Sequence, residues 1–141
     1  LALPQRKYTL GKNERLKSRK AIAALFASGK SFSLFPFRVV FTLTEVDVPD
    51  GEKPHLLVLP AFSVSKRHFS SAVKRNRVRR LMKEAFRLSK ISLQEHPLPQ
   101  TMRLELFLIF QGNELPEYSN VQLRMRQLML RLKKEVDAQA R

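Results

Sequence analysis

Phe37, Val39, Phe41 and Leu43 alternate with Arg38, Val40, Thr42 and Thr44, a period of two that predicts a strand with one buried face. Leu104, Leu106 and Leu108 share a face in the same way within Arg103 to Phe110. Another strand is expected from about His55 to Val64, where Pro60 points to a bulge or an edge position because proline cannot donate to a ladder. Elsewhere the period lengthens. Ser18 is a candidate cap for a helix reaching about Ser28, with Ile22, Leu25 and Phe26 on one side and Gly29 as its stop. Val78, Leu81, Met82, Ala85 and Phe86 form a helical stripe across 72–90, and Val121, Met125, Leu128, Met129, Leu132 and Val136 form another in a helix opened by Ser119. The breaks are Glu45 to Lys53 with Pro49, Asp50 and Gly51, then His96 to Pro99, then Gln111-Gly112-Asn113. These periodicities order the elements α-β-β-α-β-α. Residues 1–12 read as a basic flexible arm, 13–138 as one α+β domain and 139–141 as a tail.

A chain of 141 residues fits a single domain. It has no cysteine, so disulfides and thiolate metal sites are excluded, which suits a reducing cytoplasm. No apolar run approaches the roughly 18 residues of a membrane span, and no membrane partner is expected. The start carries no signal-peptide pattern, although Leu1 in place of methionine leaves a removed leader open.

Charge changes the picture more than composition does. The net charge is +15, and it is concentrated: residues 66–90 hold ten Lys/Arg against one acid, Glu84, while 31–65 hold two against four. On a helical wheel Asn76, Arg79, Arg80, Lys83, Arg87 and Lys90 lie opposite the apolar stripe. A merely solvated face would interleave Glu with Lys at i,i+4 spacing, whereas Glu84 stands alone. The arginine-rich bias favours phosphate, which a guanidinium can bind through two donors. A polyanion is the expected partner. Catalytic signals are missing: His55, His68 and His96 are scattered, the acids do not cluster for two-metal hydrolysis, and no G-x-S-x-G or P-loop occurs. The sequence therefore predicts no catalytic residue, no protein-held metal, no small-molecule substrate and no cleavage by the polypeptide alone.

The run AVKRNRVRRLMKEAFR, preceded by FSVSKR (Phe62 to Arg67), resembles the signature of the bacterial ribonuclease P protein family. LGKNERLKSRKAIAALFASGKSF resembles that family's first helix, and the likeness extends over most of 8–138. The resemblance implies an α-β-β-β-α-β-α sandwich like the second domain of ribosomal protein S5, with an added strand near Ser31 to Leu34. It implies a subunit of the ribonucleoprotein endonuclease that removes the 5′ leader of precursor transfer RNA. The RNA subunit would hold Mg²⁺ and perform the hydrolysis. Lys66, Arg67, Lys74, Arg75, Asn76, Arg77, Arg79, Arg80, Lys83 and Arg87 would then bind the catalytic ribonuclease P RNA. A cleft between the first helix and the sheet, with Phe26, Phe41 and Ile22 at the family's positions, would grip the single-stranded leader, and Phe37 is a lesser candidate because it shares a predicted face with Phe41. Periodicity alone allows Phe26 and Phe41 to be core instead. The chain departs from the family at His68 to Ser71, at Gln111 to Asn113 and in the Phe-rich run Phe32 to Phe37.

Two other classes share the charge pattern: a noncatalytic RNA-binding module, ribosomal or assembly-related, and a sequence-tolerant DNA or anionic-membrane binder. The third is disfavoured because the apolar stripe of 78–86 is needed for the core and helix-turn-helix spacing is lacking.

Overall fold

The computed structural model describes residues 16, 18–47, 51, 53–95 and 97–140. The expected arm, residues 1–12, lies outside them, as do His96 and residues 48–50 and 52 of the acidic turn. The elements are α1 (Arg19–Ser28), β1 (Lys30–Leu34), β2 (Phe37–Glu45), β3 (Leu56–Val64), α2 (Ala72–Ser89), α3 (Ile91–Gln94), β4 (Met102–Phe110) and α4 (Tyr118–Ala140). This is the expected α+β sandwich with the added strand present as β1. One element was not anticipated: the single turn α3, which follows the buried residue Lys90. The supposed tail is also partly helix, since α4 continues to Ala140.

The four strands form one sheet in the order β1-β2-β4-β3. β1 with β2 and β2 with β4 are antiparallel, while β3 runs parallel to β4. A parallel neighbour requires a crossover, which α2 and α3 supply. The edge position of β3 accommodates Pro60. A strand residue directs its N–H and C=O to the same side, and the Pro60 carbonyl points outward, accepting the Leu16 N–H at 2.9 Å. The missing proline N–H therefore removes nothing from the β4 ladder.

Alternation assigns the two faces. Phe37, Val39 and Phe41 join Leu104, Leu106, Leu108 and Phe110, and against them pack Val78, Met82, Ala85 and Phe86 of α2 with Met125, Leu128 and Leu132 of α4. Burying each such side chain contributes about 1.5–3 kcal/mol, so this layer dominates stability. Both helical stripes expected from the sequence are in it, with Leu81 half-buried at its border. The opposite face carries a smaller cluster, in which Leu25, Ala21 and Ile22 of α1 meet Val40, Leu59, Ala61 and Phe107. Ser18 caps α1 by accepting the Ala21 N–H at 3.2 Å.

Candidate nucleic-acid interface

The basic segment is one continuous surface made of the crossover after β3 and the outer side of α2. Ser65 starts it by folding the chain back, with its carbonyl accepting the N–H groups of His68 (3.2 Å) and Phe69 (3.1 Å) and its hydroxyl accepting that of Arg67 (3.2 Å). Phe69 is buried, its ring 6.1 Å from that of Phe110. Ser71 then caps α2 by accepting the Lys74 N–H at 3.3 Å. The result holds Lys66 and Arg67 outward at the start of the helix that carries the other cations.

The expected RNA-binding residues do not form one class. Arg75 is half-buried, and its Nη1 donates to the carbonyls of Phe69 at 2.7 Å and Ser70 at 2.8 Å. It therefore ties the crossover to the helix. Arg79 donates to the Asn76 side chain, which orders both on the outer face. Arg87 pairs with Glu84 at 2.6 Å, and this hydrogen bond, ahead of a smaller coulombic effect, holds the Glu84 carboxyl below its usual range against a desolvation cost. Lys90, expected on the cationic arc, is buried at the α2–α3 junction, because the helix ends there and the chain turns inward. Lys83 is half-buried. Lys66, Arg67, Lys74, Arg77 and Arg80 are exposed, and no described carboxylate pairs with them. Of the residues expected to bind RNA, these five face outward without an acid partner.

A second surface lies on the α1 face. Phe26 is 48% exposed and stands edge-on to Phe107, ring centroids 5.0 Å apart at 65°. Ile22 is half-buried beside them over Val40, and Arg38 is exposed on the same face of β2. The trough thus has two accessible rings and a cation near one end. Phe37 and Phe41 are not part of it. They are 0% and 2% exposed and belong to the opposite layer, with Phe37 against Phe110 and Phe41 against Phe32. The reason is parity: α1 covers the even residues of β2, and Phe37 and Phe41 are odd. Sequence reasoning missed Phe107. Its signal was an aromatic ring on the side of β4 opposite the leucines, between Glu105 and Ile109.

Among the described residues no three His, Cys, Asp or Glu side chains gather as metal ligands, and no helix is long and apolar enough to cross a membrane.

A mixed four-stranded sheet with a small helix on one face, two long helices on the other and an unpaired cationic crossover defines a compact basic α+β protein suited to a polyanion. The Ribonuclease P family model matches residues 10–133. A ribonuclease P protein component from Porphyromonas gingivalis is 33% identical over 94% of this chain and 93% of its own length, and one from Chlorobium phaeobacteroides is 42% identical over 60% of this chain and 56% of its own. The solved RNase P protein of Thermotoga maritima superposes with a TM-score of 0.60 at 21% identity, covering 83% of this chain and 96% of that one. That of Staphylococcus aureus gives 0.56 at 20%, covering 86% and 95%. The chain belongs to the ribonuclease P protein family, the protein component of a ribonucleoprotein enzyme.

Proposed function

We propose that the two surfaces divide the work of removing the 5′ leader from precursor transfer RNA. The crossover and the outer side of α2 bind the catalytic ribonuclease P RNA, chiefly through Lys66, Arg67, Lys74, Arg77 and Arg80, with Asn76, Arg79 and Lys83 alongside. Arg75 acts by positioning them. The trough of Ile22, Phe26 and Phe107 takes the single-stranded leader, whose bases stack on the two rings while Arg38 meets a phosphate. The observation that carries this reading is that five of the expected RNA-binding cations face outward with no acid partner on the crossover and one helix.

The protein's contribution is electrostatic and geometric. Catalytic RNA and precursor are both polyanions, and cations fixed on a rigid helix lower the cost of bringing them together. Fixing the leader reduces the orientational freedom lost on reaching the reactive geometry. In this reading Mg²⁺ is held by the RNA subunit and substrate; among the described residues no three acids or histidines gather as metal ligands. A cytoplasmic location is part of it, because precursor transfer RNA is made there. The test is 5′-leader cleavage at low Mg²⁺ with a bacterial ribonuclease P RNA alone, this protein alone, and both together. Activity that requires the mixture is expected. Failure to stimulate an RNA that the protein demonstrably binds would leave only an RNA-binding module.

A further inference from the structure

Nine of the ten phenylalanines touch another aromatic ring, and Phe35 is the exception among the described residues. It stands at the tip of the β1–β2 hairpin, 72% exposed, more open than any other described aromatic side chain. A lone apolar residue at a surface needs no explanation by itself. Two further features set this one apart. The turn is held in place, since the Gln111 N–H donates to the Pro36 carbonyl at 2.7 Å and fastens the tip to the end of β4. The tip also shares its end of the sheet with the cationic crossover. Phe37 pairs with Phe110, which pairs with Val64, so Pro36, Gln111 and Ser65 lie in the next row and Lys66 and Arg67 follow at once. Across two strand spacings, Ser65 is about 10 Å from the hairpin. The first turn of α2 begins at the same end, with Lys74 and the 77% exposed Val73.

We propose that Phe35 is a stacking platform for an unpaired base of the ribonuclease P RNA. The inference rests on the assignment of Lys66, Arg67 and Lys74 to that RNA and extends their surface to the hairpin. Cations bound to successive phosphates bring bases within reach, and a fixed, exposed ring offers a π-face to a base of any identity. A protein partner without an acidic patch would leave those cations facing no counter-charge, and a bilayer would want a broader apolar face than one ring.

The experiment compares wild type, Phe35→Ala, Phe35→Leu, Phe35→Tyr and Phe35→Trp in binding to a ribonuclease P RNA that the wild type binds, with the Arg77→Ala, Arg80→Ala double variant in parallel. The Ala and Leu variants should lose about 5- to 150-fold in affinity, the range for one base–aromatic stack, and Tyr and Trp should restore it. Because Phe35 carries no charge, the dependence of affinity on salt should keep its slope. The chain has no tryptophan, so Phe35→Trp also introduces a single fluorophore, whose emission should be quenched by the RNA subunit without precursor. Unchanged affinity in Phe35→Ala, rescue by Leu as full as by Tyr, or quenching only after precursor is added would each overturn the proposal. If the arginine double variant weakens binding while Phe35→Ala does not, only this inference falls. If neither weakens it, the assignment of α2 to the RNA falls as well.

Discussion

Gly29 ends α1 at φ −75°, a conformation open to any residue, so its role is one of space. A Cβ there would stand 2.4 Å from the Leu25 carbonyl oxygen and 3.0 Å from Cγ1 of Val40, and the carbonyl is backbone that cannot rotate away. Close approach at this point seats α1 on β2 and sets the floor of the trough. Gly29→Ala should cost about 1–3 kcal/mol, read as a lower urea midpoint, with precursor binding weakened alongside. The phenylalanines separate in the same manner. Phe26→Ala or Phe107→Ala removes an accessible ring and should lower affinity for precursor about 5- to 150-fold while affecting mature transfer RNA much less. Equal losses on both RNAs would exclude a leader trough. Phe41→Ala removes a buried ring, so its effect should be about 3–5 kcal/mol of stability, seen in unfolding before any binding is measured.

Within α2 the signature residues fall into two kinds that a helical wheel cannot separate. Arg77 and Arg80 touch nothing that the fold needs. Their double replacement by Ala should leave the circular dichroism unchanged while lowering the salt slope of RNA binding by roughly 0.7–0.9 per lost phosphate contact. Arg75→Ala should instead destabilise the crossover, because two carbonyls lose a charged donor, at about 1.5–3 kcal/mol for such bonds. Denaturation of the two variants side by side decides the point. Glu84→Gln should raise RNA affinity at neutral pH, since it removes the one acid of the segment and releases Arg87. The sign with pH follows from the lowered Glu84 carboxyl. The pair's support for folding is present above the unfolded carboxylate pKa of about 4.3 and is lost as pH falls through the lower folded value. Glu84 is 48% exposed, so that support is small and the RNA readout is the sensitive one.

Taken together, the sheet is a partition with a thick apolar layer on one side and a thin one, open at Phe26 and Phe107, on the other. The five cations assigned to the RNA subunit, Lys66, Arg67, Lys74, Arg77 and Arg80, lie at one end and along one helix. If each neutralises one phosphate, affinity for the RNA subunit should fall roughly 100- to 500-fold between 50 and 200 mM salt. A much shallower dependence would mean that part of this surface stays free in the complex.

Six of the eight elements, the core stripes of α2 and α4 and the cationic segment were legible in the sequence because each follows from local spacing: period two, period 3.6, and charge without interleaved acid; β1 came only from the family resemblance, and the single turn α3 left no such signal. That Pro60 marks a bulge or an edge was legible for a similar reason, since a missing donor restricts where a strand can lie, and the sheet order chose the edge. Tertiary structure alone decided which face of β2 the first helix would cover. Val40 makes the even face apolar enough to compete with Phe37 and Phe41, and parity tells which residues share a side without telling what packs there. It likewise decided that Arg75 turns inward to two carbonyls, that Lys90 is buried at a junction and that Phe107 meets Phe26. Each of these depends on a partner distant along the chain or on where the backbone turns, and spacing along one element carries no information about either.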